Sequence, residues 1–148
     1  MRVVRASEIV EASPESVWEI ISDPRNLPRW NQHIKKVTGV PEDGLKQGSR
    51  YTTSLRVLGV PFRVQAQVLE VDPPRYAVVR LSGPIDAVVR TWVRPAGKRR
   101  SRLEHEVSYQ VKRIGPAGRV IEQGLRIAGA GTLLRRGTRA QKRQVEQG

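Results

Sequence analysis

The sequence predicts an α+β fold in which an antiparallel sheet with one buried face is closed by a terminal helix. Three observations carry this. A short strand pattern is followed at once by Ser13-Pro14-Glu15-Ser16-Val17-Trp18, then by Asp23-Pro24 and Leu27-Pro28-Arg29-Trp30, which read as two short helical segments. From Ile34 to Lys112 apolar residues recur with period two, interrupted only by turn residues. After Gly115 the apolar spacing becomes helical.

Val3 to Glu11 reads as the first strand. Ser13 fits a helix N-cap, with Pro14 at the first helical position and Ser16 three residues on. Glu15 lies in the first turn, where the helix dipole favours negative charge. Val17, Trp18, Ile20 and Ile21 form the apolar face, and Asp23-Pro24 ends the helix because the residue before proline avoids helical backbone angles. Asn26 to His33 is the second short helix, with Leu27, Trp30 and Ile34 on one side. Ile34 to Val40 is a strand closed by Pro41-Glu42-Asp43-Gly44. Arg50 to Leu58 alternates, with Tyr51, Thr53, Leu55 and Val57 on one face, and Gly59-Val60-Pro61 turns the chain. The next strand faces Phe62, Val64, Ala66 and Val68 one way. Leu69 and Val71 then reverse the parity, which predicts a bulge near Val68–Leu69.

Arg75 to Leu81 turns Ala77, Val79 and Leu81 inward, and Asp86 to Arg94 turns Ala87, Val89, Thr91 and Val93 inward. Trp92 shares the outer face with Arg90 and Arg94, a surface cation–π arrangement. After the Pro95-Ala96-Gly97-Lys98 hairpin, Arg102 to Lys112 gives the cleanest alternation: Leu103, His105, Val107, Tyr109 and Val111 inward, Glu104, Glu106, Ser108 and Gln110 outward. Consecutive strands with short turns imply antiparallel pairing. Gly115-Pro116 opens one long terminal helix with Val120, Ile121, Leu125, Ala128, Thr132 and Leu133 on a stripe. Gly124 and Gly131 share that stripe, and each interior glycine costs ~0.8–1.0 kcal/mol relative to alanine. Glycines there predict close packing on the sheet or space left for another group. The tail holds Arg135, Arg136, Arg139, Lys142 and Arg143, read either as a solvated helix end or as a contact for anionic lipid.

The 148 residues suit a single domain, residues 1–148. The absence of cysteine excludes disulfides and thiolate metal sites. Charges interrupt Met1–Glu8 too early for a signal-peptide core, and no apolar stretch reaches bilayer length, so the expectation is a soluble, cytoplasmic protein. A net charge of +13 reads as an anionic partner or as an arginine-rich solvated surface. The charges recur on nearly every element, no zinc-finger or RNP signature accompanies them, and aromatics are few, so no specific nucleic-acid partner is expected. The two histidines are far apart and lack an acidic ligand pattern, so no metal site is expected. Gly129-Ala130-Gly131 falls inside a helix and lacks the lysine of a phosphate loop, so no cofactor is expected. Glu70 and Asp86 fall on strand ends or outer faces, leaving no paired inward carboxylates for acid–base work.

Strand, two small helices, a meander and a C-terminal helix resemble the helix-grip fold of START domains and of the major birch-pollen allergen (Bet v 1-like) family. Within it, the chain most resembles the polyketide cyclase/dehydrase family. The motifs are A-S-P-E-x-V-W at Ala12 to Trp18, D-P-x-x-L-P-x-W at Asp23 to Trp30, G-S-R-Y at Gly48 to Tyr51, V-D-P-P-R at Val71 to Arg75, and Thr91-Trp92 before the turn at Gly97. The resemblance implies a curved sheet of about seven strands wrapped around a long C-terminal helix. It also implies a concave, mostly apolar cavity, the default ligand site.

The ligand-facing candidates are Trp30, Tyr51, Thr53, Leu55, Phe62, Val64, Thr91, His105, Tyr109, Leu125, Ala128 and Thr132. Trp30 is expected near the cavity mouth. His105 reads as a proton-transfer group with Tyr109 two residues on, or as a core histidine satisfied by a neighbouring hydroxyl. The expected function is binding of a small hydrophobic molecule: polyketide-like, aromatic or lipid-like. The alternatives are a polyketide cyclase, aromatase or dehydratase with His105 and Tyr109 as catalytic candidates, and lipid transfer at an anionic membrane surface.

Overall fold

A computed structural model describes residues 1–112 and 115–147. Its strands are β1 Arg2–Val10, β2 Ile34–Thr38, β3 Arg50–Val57, β4 Val60–Asp72, β5 Tyr76–Ser82, β6 Ile85–Pro95 and β7 Ser101–Val111. They form one curved antiparallel sheet in the order β1-β7-β6-β5-β4-β3-β2. β2 to β7 make the predicted meander. β1 and β2, neighbours in sequence, lie at opposite edges, so the chain between them must cross the sheet. Helices α1 (Pro14–Ile21) and α2 (Leu27–Trp30) make that crossing.

Local chemistry sets these boundaries. The Ser16 N–H donates to Ser13 Oγ at 3.3 Å, capping α1 behind Pro14. Asp23 caps a single 3-10 turn, Pro24–Asn26, by accepting the Arg25 N–H at 3.0 Å. The second helix is shorter than the predicted Asn26–His33. It stops at Trp30 because Asn31 is extended, and Asn31 Oδ1 takes the His33 N–H at 2.9 Å. The predicted bulge lies between Val68 and Glu70, where the β4–β5 register shifts. It returns Val71 to the inner face, opposite Ala77.

The expected single terminal helix is two helices, α3 (Gly115–Ala128) and α4 (Ala130–Gln147). The break is Gly129, whose φ of +80° is a left-handed conformation that a side chain would disfavour by ~1 kcal/mol or more. Its N–H still donates to Leu125 and its carbonyl accepts from Leu133, so the chain bends with those backbone groups satisfied. Arg135, Arg136, Arg139 and Arg143 are exposed on α4, as a solvated helix end predicts, but the opposite face of that helix is buried. Thr138 and Val145 on the same helix are 1% and 8% exposed. Val145 completes the core formed by Val10, Val17, Val93 and Leu103.

α4 also shields the free edge of β1. Lys142 Nζ donates to the Ile9 carbonyl, the Glu11 N–H donates to Glu146 Oε2 at 2.9 Å, and Arg139 pairs with Glu8 at 3.2 Å. An unpaired strand edge invites strand addition, and here a helix occupies it.

Candidate functional site

The sheet's inner face, the α1–α2 crossing and the loop over residues 39–49 line a cavity of about 320 Å³ that is partly open to solvent. β4 and β5 supply Val68, Val71, Ala77 and Val79 as its floor. Trp18, Ile21 and Leu27 come from the crossing, and Val40 and Leu45 from the loop. Against this apolar lining stand three polar side chains from the sheet, Tyr51, Thr91 and His105, while Ser22, Asp23 and Arg25 lie at the end of α1.

Antiparallel register brings the first polar group together. Thr91 on β6 is directly opposite His105 on β7, so their side chains share the inner face. Thr91 Oγ1 and His105 Nδ1 are 2.8 Å apart. On the other side of the ring, His105 Nε2 is 2.7 Å from Gln141 Oε1 on α4. An amide oxygen only accepts, so Nε2 carries the proton and Nδ1 accepts from the Thr91 hydroxyl. Burial pushes the His105 pKa below 6.5, and the Gln141 hydrogen bond opposes that shift in part. The neutral ring is the form at pH 7.

Tyr51, on β3, presents a phenol whose pKa burial pushes up to about 12, so it is a neutral hydroxyl. At the rim, Arg25 Nε and Nη2 reach Asp23 Oδ1 and Oδ2 at 2.8 and 2.9 Å. The guanidinium holds the Asp23 carboxyl below its ordinary range. Arg25 is largely exposed, so this two-point pair marks the boundary between cavity and water.

Of the sequence candidates, Tyr51, Thr91 and His105 meet at this cavity. Tyr109 and Leu125 do not; they line a second concavity of about 560 Å³ with Met1 and Arg2. His105 and Tyr109 are therefore not paired, and the hydroxyl beside His105 is that of Thr91. Thr53 is buried and donates to the Val64 carbonyl at 3.1 Å, while Val64 itself is core. Leu55 and Phe62 face each other across the β3–β4 pair, outside the cavity lining. Ala128 and Thr132 flank the break at Gly129, and Thr132 Oγ1 accepts from Arg135 at 3.0 Å. The Trp30 indole N–H donates to Gln144 Oε1, tying α2 to α4.

Sequence reasoning missed Gln141, the Asp23–Arg25 rim and the apolar pair Val40 and Leu45. Gln141 carried a legible signal. It stands three residues after Thr138 and four before Val145, an uncharged stripe in a helix otherwise rich in arginine. Among the described residues no group of three or more His, Asp or Glu side chains is placed to hold a metal ion, and no helix is long and apolar enough to cross a membrane.

A family model described as polyketide cyclase / dehydrase and lipid transport matches residues 1–146. No curated protein matches the chain. Among solved structures, a START superfamily protein from Mycobacterium smegmatis superposes with a TM-score of 0.71 at 20% identity, covering 98% of this chain and 97% of that one. Norcoclaurine synthase from Thalictrum flavum, in complex with dopamine and hydroxybenzaldehyde, gives 0.67 at 18% identity over 99% of this chain and 87% of that one. The di-domain ARO/CYC protein BexL of the BE-7585A biosynthetic pathway gives 0.67 at 18% identity, with 99% of this chain matching 47% of that one. At these identities the likeness is one of fold.

Proposed function

Because this chain belongs to the polyketide cyclase/dehydrase and lipid transport family, we propose that its cavity binds one small, largely apolar molecule. The observation that carries this is the lining: aliphatic walls from two strands, with Tyr51, Thr91 and His105 as the polar groups set into them. Apolar walls supply affinity through water release, and a few fixed polar groups supply orientation. A volume of about 320 Å³ selects a compact ligand, such as a mono- or bicyclic aromatic or a short acyl chain, bearing a hydroxyl or carbonyl. The same fold in norcoclaurine synthase holds two small aromatic molecules.

His105 has a positioning role in this reading: it fixes the Thr91 hydroxyl, whose oxygen keeps a lone pair for a ligand. Both ring nitrogens are engaged, by Thr91 and Gln141, which favours binding over proton transfer. The test is native mass spectrometry of freshly purified protein, followed by organic extraction. The expected result is a stoichiometric mass increment that extracts as a neutral aromatic or acyl compound. A clean apo mass, together with no thermal shift from a panel of aromatic and short-chain lipid compounds, overturns the proposal.

A further inference from the structure

The cations on the sheet's outward face are unevenly paired. On the half formed by β6, β7 and β1, three of the four outward arginines are matched by carboxylates, Arg102 being the exception. Arg5 and Arg90 flank Glu106, and Arg94 meets Glu104 at 3.0 Å. On the half formed by β2 to β5 no such matching occurs. The register sets Lys36, Ser54 and Arg63 in one row and Arg50, Gln67 and Arg80 in another, with Arg56 on the same face near the β3–β4 turn. All five cations are exposed, and none has a carboxylate within ion-pair distance among the described residues. Thr52, Ser54, Gln65, Gln67 and Ser82 fill the spaces between them. The only acids on these four strands, Glu70 and Asp72, lie at the far end of β4 beyond the bulge.

We propose that this outward face of β2–β5 docks on an anionic lipid bilayer. With strands about 4.8 Å apart and about 3.3 Å per residue, the five cations cover a field of about 14 by 20 Å. A two-dimensional array of that kind fits a lattice of lipid phosphates and carboxylates. A nucleic-acid strand asks for something else: a groove that tracks its backbone and aromatic side chains on which bases stack. No aromatic side chain lies among these cations. Tyr76 and Trp92, at the other end of the face, pack against each other in a tilted pair with centroids 5.6 Å apart. The β3–β4 turn adds an apolar tip beside the charge. Leu58 is 71% exposed there, two residues beyond Arg56. A cationic field with an apolar projection is how a protein lies on a headgroup layer without spanning it. The docking face and the cavity use different residues, so each proposal stands or falls alone.

The test is co-sedimentation with vesicles of phosphatidylcholine alone and of phosphatidylcholine mixed with phosphatidylserine. The chain is expected to bind only the mixed vesicles and to be released by salt. Each cation near such a surface strengthens adsorption by about fivefold, so Arg56→Gln/Arg63→Gln/Arg80→Gln is expected to weaken it by about a hundredfold. Arg5→Gln/Arg90→Gln/Arg94→Gln removes the same charge from the compensated half and is expected to change binding by only a few-fold. As a readout independent of the arginine variants, the fluorescence of Leu58→Trp is compared with and without mixed vesicles. A blue shift at the introduced indole is expected with phosphatidylserine present. Binding to neither vesicle, equal binding to both, equal loss in the two triple variants, or retention of a duplex oligonucleotide without vesicle binding overturns the proposal.

Discussion

His105 on β7 donates from Nε2 to Gln141 Oε1 on α4 at 2.7 Å, so a partly buried hydrogen bond fastens the cavity wall to the terminal helix. Gln141→Leu removes the acceptor and strands the ring N–H in a buried site. A buried donor left without a partner costs ~1–3 kcal/mol. The expected result is a loss of that size in urea unfolding. The His105 pKa is expected to fall further, because the bond to Gln141 is what raises it. An NMR titration of the ring protons reads the second effect, which a general packing defect would not produce. An unchanged stability would mean that the bond contributes nothing net.

The same ring makes stability depend on pH with a definite sign. Burial lowers the folded-state pKa of His105 below its ordinary 6.5, so the unfolded chain takes up the proton first. Stability is therefore full above about pH 6.5 and declines as the pH falls from there toward the folded-state value. One proton limits the slope to ~1.4 kcal/mol per pH unit. Asp23 and Glu146, both lowered by basic partners, lose their contributions only below their ordinary values of 3.8 and 4.5. The acid side of neutrality thus isolates His105. Thermal unfolding across that window is expected to show the decline in the parent chain and to lack it in His105→Gln. An identical slope in both would place the titration elsewhere.

Much of this arrangement was legible from sequence, and the reason is the two-residue period of strands. Alternation from Leu103 to Val111 set His105 inward, and its buried neighbours Leu103 and Tyr109 follow the same parity. The reversal at Leu69 located the bulge because a period-two signal cannot change phase without an extra residue. Two things were hidden. A helical stripe fixes which face is buried but not where the helix bends, so Gly129 read as one more glycine in a run that also holds Gly124 and Gly131. Side-chain partners across elements have no sequence period at all. Parity placed both Thr91 and Tyr109 on the inner face with His105. Only the β6–β7 register shows that Thr91 is directly opposite and that Tyr109 faces Ala87.

Val79 faces the cavity from β5, and space rather than packed side chains lies before it. Val79→Phe adds about four carbons of ring to that space. Enlarging a packed core residue usually costs ~1–3 kcal/mol, whereas filling a cavity costs far less and can stabilise. The expected outcome is an unfolding midpoint equal to or above that of the parent chain, with loss of any co-purifying small molecule. A destabilisation of several kcal/mol would show that the cavity is closed in solution.

α4 supplies the last contrast, between an apolar and a cationic position two residues apart. Val145 is 8% exposed in contact with the cluster of Val10, Val17, Val93 and Leu103, whereas Arg143 is exposed. Val145→Ala removes two buried methyl groups and leaves a void against the core, an expected loss of ~2 kcal/mol. Arg143→Ala removes a solvated charge and is expected to stay within ~0.5 kcal/mol of the parent chain. Chemical denaturation of both variants measures the difference directly. Equal, near-zero effects would return the terminal segment to the solvated tail that its arginines suggest. A loss confined to Val145→Ala would establish that the basic residues between Arg135 and Arg143 ride on a helix whose other face belongs to the core.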